Sequence, residues 1–240
     1  MNATVASDSP PRQVTAELAR FAAGTTYDRL PGEVVRQAKA VIMDTLGCAI
    51  AGYTLAREEL APLLHVARSQ GGAGPAMIFC DGHHTTPAQA AMANGGMIHT
   101  IDFDDTSSTC FGHFGATLLP VTAALGQQLG ASGEQVITAF VTGYDIATRA
   151  GRSVWPSHYD AWHPTATLGN IGAAVAAGKL LGFDADRMEL AIGLAADEAA
   201  GLRYCIDHGD FSKLLHPALA AMKGILVALM VQGGARGPRG

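Results

Sequence analysis

The sequence predicts an all-α domain of about nine helices with almost no sheet. Three observations carry that prediction. Apolar residues recur at helical spacing through most of the chain. Proline and small polar residues stand where helices begin. Only residues 76–80, Ala-Met-Ile-Phe-Cys, read as a strand.

In chain order, residues 1–11 are polar and read as a flexible tail. Val14, Leu18 and Phe21 set the first helix, over 12–23. Pro31 opens the second, whose stripe is Val34, Val35, Ala38, Val41, Ile42, Leu46 and Ile50, with Gly52 as its end. A third covers 57–69, followed by the glycine-rich loop 70–75. Thr86 as N-cap and Pro87 at the first position start a helix that runs to His99. Residues 106–114 are a loop and 115–129 a helix. Ser132 and Gln135 fit a capping box, in which the serine accepts from an amide three residues on and the glutamine reaches back. The helix they open runs to about Ala150. After an aromatic loop at 153–164, a helix over 165–181 shows a face of Gly169, Gly172, Ala173, Ala176 and Ala177, suited to close backbone approach. Asp184 caps the next helix, residues 201–212 form a loop, and the last helix covers 213–231. The helical domain is thus expected over 12–233, with a C-terminal tail at 234–240. Short connections predict antiparallel packing of most neighbours.

Composition narrows function. Forty-eight per cent of the 240 residues are hydrophobic, enough for a sizeable core. The net charge of −5 comes without a Lys/Arg cluster, so nucleic acid and anionic membrane are not expected as partners. The apolar run at 224–231 is too short to span a bilayer. Four scattered cysteines without a Cys-x-x-Cys read as reduced thiols of a cytoplasmic protein.

Chemistry concentrates in His99-Thr-Ile-Asp102-Phe-Asp104-Asp105-Thr106, completed by His113. Three carboxylates so close need hydrogen bonds, cations or raised pKa values, and those arrangements also poise acid–base groups. His163, the Lys213/His216 pair and the stretch 204–210 also fall at helix ends, which a bundle can bring to one cleft. Carboxylates, imidazoles and a cation suit an acid–base reaction on an anionic substrate. Lys213 near a helix N-terminus opposes the dipole, a penalty that a bound carboxylate would remove. The acidic spacing matches no EF-hand, and no His-Glu-x-x-His is present. Simpler readings stand beside these. Asp104 and Asp105 fit caps of the following turn, and His163-Pro164-Thr165 fits a plain helix start.

The chain resembles the MmgE/PrpD family. The resemblance rests on residues 40–52 (AVIMDTLGCAIAG), Ala-Asn-Gly at 93–95, His-Thr-Ile-Asp-Phe-Asp-Asp-Thr at 99–106 and His-Phe-Gly-Ala-Thr-Leu-Leu-Pro at 113–120. It continues with Gly-Tyr-Asp at 143–145, His-Pro-Thr-Ala-Thr-Leu-Gly at 163–169 and Lys-Leu-Leu-His at 213–216. It implies the helical domain of a dimeric enzyme without metal or cofactor, followed in family members by a smaller α/β domain over the cleft. It further implies a lyase acting on a small di- or tricarboxylate, by dehydration or decarboxylation. The alternatives are an epimerase of an amino- or imino-dicarboxylate, or an inactive carboxylate-binding or dimerisation domain. Positions matching the family place Asp102, His113, His163 and Lys213 in catalysis. Thr106, Asp105 and His216 are assigned to substrate binding. Pro217 departs from the family pattern and is expected in the first turn of its helix, where proline is tolerated.

Overall fold

The computed structural model describes residues 13–239, so the expected tail over 1–11 lies outside the described residues. Among them are ten α-helices: α1 (Val14–Gly24), α2 (Gly32–Leu55), α3 (Arg57–Gln70), α4 (Pro87–His99), α5 (Gly115–Leu129), α6 (Gly133–Val154), α7 (Pro164–Leu180), α8 (Ala185–Asp197), α9 (Tyr204–His208) and α10 (Ser212–Gln232). The tenth, beyond the nine expected, is α9, a five-residue turn inside what the sequence reads as loop. Short 3₁₀ turns at Tyr27–Arg29 and Ser157–Asp160 complete the helical content.

The predicted strand is shorter than expected. Only Ala76–Met77 (β1) is extended, and it pairs antiparallel with His84–Thr85 (β2), a partner that nothing in the sequence pattern marks. Asn94 on α4 secures this hairpin. Its side chain accepts from the Phe79 amide and donates to the Met77 carbonyl, at 2.7 and 3.0 Å.

The helix starts follow most of the sequence signals, with Pro31 at the N-cap position of α2 and not at its first residue. The Ser132–Gln135 capping box forms on α6, and Asp184 accepts from the Arg187 amide to cap α8. Thr86 holds the N-cap position of α4, but its side chain makes no capping bond. Gly52 does not end α2, which continues to Leu55. A Cβ there would lie 2.1 Å from the Met97 carbonyl oxygen, so the glycine serves the contact with α4.

Two helices form the interior. α7 is buried over nearly its whole length, as a helix without a polar face must be. α10 lies beside it and packs against α4, α5, α7 and α8. α6 crosses α7 where Gly143 meets Gly172. A Cβ on Gly143 would stand 2.6 Å from the Gly172 carbonyl oxygen, so both positions need glycine. Gly143 against Gly172 and Gly151 against Leu168 make this pair antiparallel, as short connections predict. The α7–α10 pair runs parallel instead. His163 meets His216 near the two helix starts, and Ala173 meets Gly224 further along. That direction sets two helix N-termini side by side.

α10 passes the length and composition test for a membrane span, which the run at 224–231 alone does not. Yet more than half of its apolar stretch is buried inside the fold, as in a core helix. Residues 234–239, expected as a tail, return along α8, where Arg239 lies 3.5 Å from Glu189. Pro217 is the sixth residue of α10 and not in its first turn. It offers no amide to the Lys213 carbonyl one turn back.

Candidate functional site

α4 delivers His99 to the interior at its last residue, and the chain then turns back. The Asp102 amide donates to the His99 carbonyl at 3.1 Å, and Asp102 adopts a left-handed φ of 53°, which aspartate tolerates better than most residues. Beyond this turn the three carboxylates part company.

Asp102 stays half-exposed and pairs with Lys213 of α10 at 2.5 Å. Burial pushes its carboxyl up, but the Lys213 ammonium outweighs that and leaves it below the usual range. The dipole penalty on Lys213 thus has its carboxylate, supplied by the protein itself. Asp104 turns inward. His99 donates from Nδ1 to its carboxylate, with oxygens at 3.0 and 3.2 Å, and His113 Nδ1 stands 3.6 Å away. Burial would raise Asp104, yet the His99 and His113 imidazoles hold it well below the ordinary range. Asp105 faces elsewhere. Its oxygens accept from the Gly115 amide at the start of α5 and from the Tyr144 hydroxyl, both at 2.9 Å. Burial foremost pushes it up to about 6. The capping reading therefore describes Asp105, which accepts from the amide at the start of α5.

The imidazoles form a row. The ring centroids of His113 and His99 are 4.7 Å apart, those of His99 and His163 5.8 Å, and those of His163 and His216 5.1 Å. His163 holds the N-cap position of α7, with Pro164 after it and its own amide bonded to the Gly201 carbonyl. Thr165 caps nothing. Its hydroxyl accepts from the His113 amide at 3.0 Å and joins the acidic loop to α7. Thr106 Oγ1 lies 3.4 Å from His113 Nδ1.

Protonation differs along the row. Burial pulls His113 down, but Asp104, Asp102 and Asp105 around it win, so it keeps its proton more tightly than an ordinary imidazole. Burial drives His163 far down, helped by His99, His216, His113 and Lys213 around it. His216 is lowered as well, chiefly by burial. An imidazole that binds a proton and another that stays neutral therefore flank His99, the combination that proton transfer at carbon needs.

The structure thus brings together Asp102, Thr106, His113, His163, Lys213 and His216, with Asp105 nearby but hydrogen-bonded to the Gly115 amide and the Tyr144 hydroxyl. Sequence reasoning passed over His99 and Asp104 as site residues, the buried pair at the centre, and Tyr144 and Cys205 beside it. His99 and Asp104 lie within the quoted acidic stretch, so that density was the available signal. Two groups of possible metal ligands arise: His99, Asp102, Asp104 and His113 form one, and His163, Cys205 and His216 the other. A cavity of about 910 Å³ between α1, α2 and α6 reaches Thr106 but none of the imidazoles. A smaller one of about 200 Å³ touches His216.

Fold and site together define an all-helical domain with a carboxylate–imidazole centre at converging helix ends. The chain belongs to the MmgE/PrpD family, whose N-terminal domain model matches residues 16–240. It is 30% identical over 234 residues to the cis-aconitate decarboxylase of Aspergillus terreus (strain NIH 2624 / FGSC A1156), covering 95% of this chain and 47% of that protein. The cis-aconitate decarboxylase-like protein oryM of Aspergillus oryzae is 29% identical, with 96% and 49% covered. The human cis-aconitate decarboxylase is 27% identical, with 94% and 47% covered. The chain spans about half the length of these curated relatives.

Proposed function

We propose that this chain carries the acid–base centre of a lyase that acts on a small di- or tricarboxylate without a metal. The observation that carries this reading is the row of four imidazoles with Asp102, the partner of Lys213, beside His99 and His113. Lys213, partly exposed, anchors a substrate carboxylate in place of Asp102. Neutral His163 accepts a proton, and His113 donates one. For dehydration, His163 takes the proton next to a carboxylate while His113 protonates the leaving hydroxyl. For decarboxylation, His113 supplies the one proton that replaces CO₂ on carbon. The names of the relatives favour decarboxylation of a cis-aconitate-like acid.

The same pair of unlike imidazoles supports a second reading, an epimerase that removes a proton from one face and returns one to the other. We further infer a cytoplasmic homodimer. Four unpaired cysteines support the compartment, and Met43, Leu46 and Ile50, exposed along one stripe of α2, support pairing.

Proton NMR of the purified chain in D₂O, with a chelator and a panel of citrate-like and aconitate-like acids, tests the proposal. New vinyl signals are expected. Deuterium entering recovered substrate without loss of water or CO₂ would favour the epimerase. A silent panel on folded protein would overturn turnover by this chain.

A further inference from the structure

Two imidazole nitrogens and a thiol sulfur converge where acid–base chemistry needs only one of them. His163 Nδ1 and His216 Nδ1 are 2.9 Å apart, and Cys205 Sγ is 3.4 Å from His216 Nδ1. All three lie within 4.8 Å of one another. They come from three elements, the N-cap of α7, the short helix α9 and the second turn of α10. The Gly201 carbonyl, which receives the His163 amide, and the Leu202 carbonyl, 3.6 Å from Cys205 Sγ, hold the intervening loop against them. The thiol is buried and belongs to no disulfide.

A thiolate with two imidazoles is a donor set for Zn²⁺, which binds sulfur at about 2.3 Å and nitrogen at about 2.0–2.1 Å. Tetrahedral bonds of those lengths place the donors roughly 3.3–3.7 Å apart. The Cys205–His216 spacing already lies in that range, and the His163–His216 spacing reaches it if the two imidazoles open by a few tenths of an ångström. The second group of ligands is less available. Lys213 holds Asp102, and His99 holds Asp104.

We propose that His163, Cys205 and His216 form a binding site for Zn²⁺, and that the ion, once bound, silences the centre by taking His163. The binding is independent of any reaction. The silencing rests on the lyase reading above. Zinc is here a competitor for an imidazole, not a participant in catalysis.

The wild-type chain is titrated with Zn²⁺ alone against a chromophoric chelator, then with Co²⁺. The expected results are one equivalent of zinc and a sulfur-to-cobalt charge-transfer band. Cys205→Ser should abolish the band and weaken zinc by more than ~100-fold, beyond the ~10–100-fold typical of losing a second-shell partner. Asp102→Asn should leave zinc affinity unchanged. A wild-type cobalt complex without the thiolate band overturns the site, and that reading needs no variant. Affinity that survives Cys205→Ser but falls in Asp102→Asn moves the ion to the acidic group and also overturns it. Turnover that zinc stops in wild type and not in Cys205→Ser is expected. Turnover indifferent to bound zinc refutes the silencing, and a chain that binds zinc but turns over nothing overturns turnover by this chain while the zinc site stands.

Discussion

Asp104 and His99 are joined at 3.0 Å with both side chains wholly withdrawn from solvent. A carboxylate so placed is costly without its partner. Its partner, in turn, keeps a second ring atom, Nε2, buried and without a hydrogen bond. The pair is the fixed point around which His113 and His163 are arranged.

Asp104→Ala should therefore destabilise the fold by about 3–5 kcal/mol, the usual loss when one member of a buried pair is removed. Urea denaturation at pH 7 measures it. The folded pKa of Asp104 is depressed, so its stabilisation is present above the unfolded value of about 4 and is lost as pH falls through the folded value. Asp104→Asn should accordingly flatten the acid side of the stability profile. An unchanged acid limb would contradict the role given to this carboxylate.

Asp105 acts in the opposite sense. Its folded pKa is raised to about 6 from 3.8. Between those values the folded chain holds a proton that the unfolded chain has released, so this group makes stability fall as pH rises. Two units at 1.36 kcal/mol each amount to roughly 3 kcal/mol, fully expressed above pH ~6. Asp105→Asn should remove that decline in urea midpoints measured from pH 4 to 7. Tyr144→Phe deletes a hydrogen bond to the carboxylate and should move the decline to higher pH.

Lys213 and His163 should separate kinetically once a substrate is found. Lys213→Ala removes the anchor and should raise KM strongly. His163→Ala removes the proton acceptor and should chiefly lower kcat. Steady-state kinetics on the folded variants decide it, and unchanged parameters in both would refute the site.

Gly143→Ala tests the α6–α7 crossing. Its methyl group would press on the Gly172 carbonyl, a backbone atom that cannot swing aside. A loss of about 1–3 kcal/mol or more is expected from overpacking. A melting temperature equal to wild type would show that the crossing can widen.

The helices were legible because each writes its own period, and Ser132, Asp184 and Pro164 marked their starts. The acidic stretch was legible as a place but not as an arrangement. Which of three neighbouring aspartates meets an imidazole depends on the left-handed turn at Asp102 and on where Lys213 and Tyr144 lie, more than a hundred and about forty residues away. Local spacing carries no trace of such partners. β2 and α9 escaped for a related reason. Two extended residues and a single helical turn are too short to express a period, and their stability comes from what packs on them.

The central place of α10 bears on how the chain is made. Synthesis runs from the N-terminus, and α4 and α7 are complete well before residues 212–232 leave the ribosome. Until then the faces that α10 will cover are bare, and the segment itself is as oily as a bilayer anchor. Domains generally fold as units, and exposed apolar surface invites aggregation in the interval. A chain interrupted before Ser212 would lose Lys213 and His216 and also leave bare the faces of α4 and α7 that α10 covers. Its fate would be set by chaperones and proteases before chemistry mattered.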